Sequence, residues 1–325
     1  MKIEKDMILS FSIIVTGRCN RDCPYCHFYA NRDRAAYNRD IKDDLFDAYV
    51  DFIAELQKTN KNITVRFSGG EPLVLEDRLF ELAERLHNKT GLSPFILTNG
   101  KSLSKDLIER AKTSHISCFV VSMDNPFQDD YSKENCETVL AKFKELENAE
   151  VPLYPGMVVI NNNDFKDLVE IGDYFFERIG TLPPMCEKNF VPFEIPTDKE
   201  LSDLYNSVKA LILKYNGKSD LLLFPYIVPE YYANNLEGEE FLTELPMDDK
   251  FGFLNDHTFA EMLSKIEKQL DISYVKYDCK EVNCDWYGSC NALKWVWFSN
   301  TEKVKEYCRY KKAISSAFYD ALKDE

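Results

Sequence analysis

Ten cysteines fall in a chain of 325 residues, and three of them, Cys19, Cys23 and Cys26, stand at C-x3-C-x2-C in the run Thr16-Gly17-Arg18-Cys19-Asn20-Arg21-Asp22-Cys23-Pro24-Tyr25-Cys26. Thiolates are soft ligands that suit zinc and iron–sulfur clusters. Three ligands are one short of the four that close a structural zinc site or an electron-transfer cluster. A four-iron cluster held by three thiolates keeps one iron open to a substrate or cofactor, whereas zinc with His27 as fourth ligand is the other reading of this spacing.

A second group, Cys279, Cys284, Cys290 and Cys308, is spaced C-x4-C-x5-C-x17-C. Four thiols make a closed site, which serves zinc and an iron–sulfur cluster equally well. Cys118 lies in an apolar run and reads as a small buried hydrophobe, and Cys136 sits in a helical stretch without a motif.

These residues need a scaffold that gathers them. Runs suited to buried strands at 8–16, 63–68, 95–98, 118–123, 154–161 and 190–195 alternate with helical periodicity at 43–58, 76–89, 104–112, 133–148, 165–178 and 198–215. Alternation of this kind specifies a parallel α/β sheet, and six units rather than eight predict a partial (β/α)6 TIM-like barrel. Asp198, after Pro196 and Thr197, falls in a helix N-terminal cap region.

The carboxyl ends of barrel strands are where such folds collect their active sites. The cysteine triad follows the first predicted strand, Gly69-Gly70-Glu71-Pro72 the second, Thr98-Asn99-Gly100 the third, Ser122-Met123-Asp124 the fourth and Asn161-Asn162-Asn163 the fifth. Beyond residue 216, Pro225, Pro229, an acidic run at 237–240 and Pro246 break the pattern. The expected organisation is a barrel at 1–216, then a substrate-shaping region with a small C-terminal cysteine-bearing extension at 217–325. Helices are predicted at 256–270 and 303–322.

With an aromatic residue, Tyr25, directly before the last cysteine, the triad resembles the radical S-adenosylmethionine superfamily. The resemblance implies a 4Fe–4S cluster on Cys19, Cys23 and Cys26 whose open iron chelates S-adenosylmethionine. One electron, supplied in the end by an external donor, then cleaves the sulfonium to give a 5′-deoxyadenosyl radical that abstracts hydrogen from a substrate. Tyr25, Gly69, Gly70 and Glu71 are then expected at the cofactor, the Gly-Gly-Glu-Pro run against the methionine amino group. Ser122, then Asp124, are expected at the ribose hydroxyls. Asn161 and Asn163 are expected at the carboxylate or ribose, or else in an Asx-rich turn, and Asn99 is a further candidate.

The tail resembles the SPASM or twitch extensions of the same superfamily. Its first pair is widened to C-x4-C, and Lys294 stands where a further cysteine is expected, so one auxiliary 4Fe–4S cluster on Cys279, Cys284, Cys290 and Cys308 is implied, two clusters in all. Cys186, in a Pro-flanked loop before the sixth predicted strand, is a candidate hydrogen-atom donor to a substrate radical, or simply structural.

Forty basic against 55 acidic side chains, a net charge of −15, disfavour nucleic acid as a partner. No apolar run approaches the roughly 18 residues of a membrane span, and the first residues lack a secretory pattern, so the cytoplasm is expected. Enzymes with this layout commonly modify ribosomally made peptides by crosslinking, epimerisation or side-chain oxidation, and that oxidoreductase chemistry is the expectation here. The barrel starts within ten residues of position 1, which calls for a separate leader-binding protein or a leaderless substrate. The competing readings are a dehydrogenase or isomerase of a small metabolite, and a non-catalytic metal-binding protein.

Overall fold

The computed structural model describes residues 9–23, 26, 38–187, 196–215, 218 and 301–323. Six strands form one sheet in the order of the sequence: β1 Leu9–Thr16, β2 Ile63–Gly69, β3 Phe95–Thr98, β4 Cys118–Met123, β5 Leu153–Ile160 and β6 Met185–Glu187. Every neighbouring pair is parallel. A parallel pair cannot be joined by a tight turn, so a helical crossover separates each strand from the next. The crossovers carry α1 Asp43–Leu56, α2 Asp77–Thr90, α3 Lys105–Thr113, α4 Asp130–Glu145 and α5 Leu168–Ile179, and α6 Asp198–Tyr215 follows β6. β1 and β6 are not paired, so the described sheet is a partial barrel of TIM type, as the alternation predicts.

Side chains alternate between the two faces of each strand. Ile13, Phe67, Ile96, Phe119, Val121, Val158 and Met185 are buried in the layer between sheet and helices. On α1 the buried residues Leu45, Phe46, Tyr49, Val50, Phe52, Ile53 and Leu56 recur three and four apart, which lays one apolar stripe on the sheet. Phe46 meets Phe67 edge-on at 5.8 Å, and each such side chain, fully buried, contributes about 1.5–3 kcal/mol. The opposite, concave face carries Ser12, Ser68, Leu97, Val120, Ser122 and Tyr154, all half-buried or exposed.

α6 begins where the sequence predicts, but its cap is Thr197, not Asp198. The Glu200 carboxylate accepts from Thr197 N at 2.6 Å, and Thr197 Oγ1 accepts from Glu200 N at 3.2 Å. The closing helix, α7 Thr301–Lys323, packs on α6. Tyr310, Ile314, Ala317 and Ala321 are buried, Tyr205 Oη donates to Asp320 at 2.7 Å, and Arg309 pairs with Asp198.

Two sequence readings change. The sixth described strand is Met185–Glu187, while residues 190–195, where the apolar pattern places it, lie outside the described residues. Cys186 therefore lies within a strand, paired in register with Val159, and not in a loop. The fifth helix is preceded by a 3-10 turn, Asn162–Asp167, before α5 starts at Leu168. The predicted helix at 256–270 lies outside the described residues.

Candidate active site

The cysteine loop leaves β1 and is stapled at its base. Gly17 N donates to Arg39 O at 2.8 Å, Thr16 Oγ1 donates to Asp40 Oδ1 at 2.7 Å, and Arg18 grips both Asp40 oxygens at 2.8 Å. Burial pushes the Asp40 carboxyl up, but the hydrogen bonds from Arg18 and Thr16 and the Arg18 charge more than offset it and hold it below its ordinary value.

The end of β2 holds the loop from the other side. Gly70 N donates to Thr16 O and Glu71 N to Arg18 O, both at 2.8 Å. Gly69 has φ of 132°, and a Cβ on it would lie 2.0 Å from Thr16 O; one on Gly70 would lie 2.3 Å from Arg18 O. Both positions therefore require glycine, and the close approach is to the backbone of the cysteine loop itself.

Glu71 is fully buried. Its Oε1 accepts from Leu73 N at 3.0 Å and Thr98 Oγ1 at 2.8 Å, and its Oε2 accepts from Asn99 N at 2.7 Å. Burial pushes this carboxyl up, opposed by those three bonds and by the Arg21 charge. The carboxylate thus ties the β2 turn to the end of β3.

From there Asn99 Nδ2 donates to Asn20 Oδ1 at 2.9 Å and lies 3.8 Å from Cys19 Sγ. Asn20 Nδ2 donates to Ser102 Oγ at 3.0 Å, and Lys101 Nζ donates to Asn20 O at 3.2 Å. The turn after β3 is in this way latched onto the loop between its first two cysteines.

β4 supplies a third hold. Arg21 Nη1 stands 3.7 Å from Asp124 Oδ2, with the two side chains 6% and 8% exposed. Arg21 Nε is buried and has no hydrogen-bond partner among the described residues. Ser122, two residues before Asp124, is exposed on the concave face. Tyr131, in the first turn of α4, places its hydroxyl 3.5 Å from Cys23 Sγ. Burial, together with the Cys23 sulfur, pushes this hydroxyl up to about 12, so it keeps its proton at neutral pH.

Cys19, Cys23 and Cys26 are free thiols on this loop, and Cys26 N donates to Cys23 O at 3.0 Å, closing a turn between the last two. Burial raises the Cys19 thiol, and the nearby Glu71, Cys26 and Cys23 charges raise it further, against a bond from the Arg21 backbone. Gathered thiolates repel one another until a polycation binds them, so the donor set fits a cationic cluster. Among the described residues no three His, Cys, Asp or Glu side chains converge on a single-ion position. A cubane takes each thiolate at a different iron and does not need that convergence.

Asn161 precedes the 3-10 turn, where its N–H donates to Asp164 Oδ2 at 2.7 Å and its carbonyl accepts from Asp164 N at 2.9 Å. Asn163 is exposed. Cys308 is half-buried on α7, two residues before the buried Tyr310. Tyr25, His27, Cys279, Cys284 and Cys290 lie outside the described residues. Asn20, Arg21, Thr98 and Tyr131 escape sequence reasoning, because only the topology brings their partners close. No helix among the described residues is long and apolar enough to cross a membrane.

Comparison with known proteins agrees with this construction. A radical SAM cyclopropyl synthase, TigE, of Paramaledivibacter caminithermalis is 21% identical over 324 aligned positions, covering 89% of this chain and 68% of its own length. A cysteine-type anaerobic sulfatase-maturating enzyme of Clostridium novyi is 24% identical, covering 85% of each chain. Among solved structures, native anSMEcpe with bound AdoMet and Cp18Cys peptide superposes with a TM-score of 0.62 at 16% identity, over 98% of this chain and 99% of that one, which shows a shared fold. The family model described as the radical SAM superfamily matches residues 13–175, from β1 through the middle of α5. The part of the chain that gathers the cysteine loop and strand ends is the part that matches, and the protein belongs to the radical SAM superfamily.

Proposed function

We propose that Cys19, Cys23 and Cys26 hold a 4Fe–4S cluster with S-adenosylmethionine beside it, and that the enzyme modifies a ribosomally made peptide. The observation that carries the site is the convergence of three strand-end turns on one loop: Gly70 and Glu71 from β2 and Asn99 from β3 hydrogen-bond the segment that bears the cysteines, and Asp124 from β4 forms an ion pair with it. When bound, cluster and cofactor supply a hydrogen-abstracting adenosyl radical. The chain's own residues fix the thiols in place and hold the cofactor's polar groups.

In this reading the candidate residues divide by task. Ser122, exposed on the concave face, is available to a ribose hydroxyl, whereas the Glu71 side chain is buried in bonds that tie the β2 turn to β3, and the Asp124 side chain is buried beside Arg21 of the loop. Gly69 and Gly70 would offer backbone groups to the methionine moiety. Tyr25, Asn161 and Asn163 complete the proposed cofactor contacts, and Cys279, Cys284, Cys290 and Cys308 a single auxiliary cluster.

Support for a peptide substrate comes from relatives whose similarity runs across most of the chain, one of them named for maturing a sulfatase. A structure of the same fold holds a peptide. A peptide substrate and an external electron donor are the expected partners, in the cytoplasm. A small-metabolite reading has its own support, since a probable GTP 3′,8-cyclase of Methanocaldococcus jannaschii is 26% identical over 74% of this chain.

The decisive experiment is anaerobic reconstitution with iron and sulfide counts and a 5′-deoxyadenosine assay. About eight irons are expected, and a protein with Cys19, Cys23 and Cys26 all changed to Ala should hold about four and make no 5′-deoxyadenosine. Product formation by that variant would refute the site. Turnover of a small precursor peptide, against none with GTP, separates the two substrate readings.

A further inference from the structure

Hydrogen bonds to the sulfurs of an iron–sulfur cluster are one of the means by which a protein sets its potential. The phenol of Tyr131 lies 3.5 Å from Cys23 Sγ, within the range of a hydrogen bond to sulfur. A metal-bound thiolate has no proton to give, so in the loaded protein the phenol is necessarily the donor. Its position is set by α4, where the Asp129 side chain accepts from Ser132 N at 2.7 Å and caps the turn that carries Tyr131. Asn135, one turn further along α4, lies beside the hydroxyl.

The contact joins positions 108 apart in sequence. Tyr131 itself is 38% exposed, so its hydroxyl is not held there by burial of the ring alone. The helix start and the thiol are brought together by the barrel: β4 leads into α4, and Asp124 at the end of β4 draws Arg21, two residues before Cys23, toward the same place.

We propose that Tyr131 is a positioning residue that donates a hydrogen bond to the Cys23 thiolate and raises the reduction potential of the S-adenosylmethionine-binding cluster. This rests on the three-cysteine reading above. A hydrogen bond stabilises the more negative, reduced state over the oxidised one, so the neutral phenol makes the first electron easier to deliver without adding charge to the site.

The test uses the full-length reconstituted protein and EPR-monitored redox titration, the relevant signal being the one that changes when S-adenosylmethionine is added. Tyr131→Phe should lower the ratio of reduced to oxidised cluster about tenfold at a fixed potential, which is 59 mV for one electron. Iron content and melting temperature should stay at wild-type values. Site-specific 3-fluorotyrosine at position 131, a stronger donor of nearly the same shape, should raise the ratio two- to threefold. An unchanged ratio in either protein, or a rise with Phe, overturns the proposal. Should the Phe protein fail to load, the fluorotyrosine protein decides alone. A wild-type protein with no signal responsive to S-adenosylmethionine would instead overturn the three-cysteine reading, so the two failures are distinguishable.

Discussion

At the ends of β2 and β3 the polar groups are spent on one another and on the cysteine loop, whereas on the concave side of β4 a hydroxyl is left exposed. Glu71 is wholly buried and accepts from three donors, and both neighbouring glycines press on loop backbone. On the concave side of β4 and β5, Ser122 is exposed and Tyr154 is 53% exposed. The first half of the mouth is a finished structure that positions the cysteines without help from a ligand. Ser122 keeps its hydrogen-bonding capacity for something else, in our reading the cofactor ribose.

Substitutions in the two halves should therefore fail in different ways. The largest effect belongs to Gly69→Ala, whose new methyl group would meet the immovable carbonyl of Thr16 at 2.0 Å on a backbone held at a φ of 132°. It should cost about 3 kcal/mol in chemical denaturation, as overpacking of a tight site does, and lower the iron content as the loop is displaced. Wild-type stability and iron content in that variant would remove the backbone clamp from the account.

Glu71→Gln comes next. The amide cannot accept from all three donors, and its NH2 would face either Asn99 N or the pair Thr98 Oγ1 and Leu73 N. A buried donor left unsatisfied costs about 1–3 kcal/mol, which the same denaturation curve would register.

Ser122→Ala is the smallest change and sharpens the comparison most. Stability should stay within about 0.5 kcal/mol of wild type. Affinity for S-adenosylmethionine, followed by equilibrium dialysis, should fall about fivefold, the worth of one neutral hydrogen bond near 1 kcal/mol. Equal affinity in the two proteins would move the ribose contact elsewhere.

What the sequence makes legible follows the range over which each signal acts. The first five strands and their helices are readable because a buried parallel strand is a continuous apolar run and an amphipathic helix repeats every three or four residues. The cysteine triad is readable because its members are local. β6 escapes detection since Met185–Glu187 is only three residues long, with Pro183 and Pro184 just before it and a polar end. Helix α4 starts at Asp130, three residues before the apolar period begins at Lys133, and the cap at Asp129 sets that start. The pairing of Asp124 is not readable because its partner, Arg21, lies on a different β/α unit, and no local pattern marks the pair. Two of the three donors to Glu71, Thr98 and Asn99, are likewise assembled by topology, 27 and 28 positions away.

The packing of α7 on α6 has a consequence for how such an enzyme diversifies. Asp198 and Arg309 are paired although 111 positions apart, and Tyr205 reaches Asp320 across 115. The two contacts advance together along both helices, so α6 and α7 lie parallel and clasp one another over these positions. A chain cut before Thr301 would bare the apolar face on which Tyr310, Ile314, Ala317 and Ala321 are buried, so any change in the length or identity of the chain must spare both helices to leave the barrel intact.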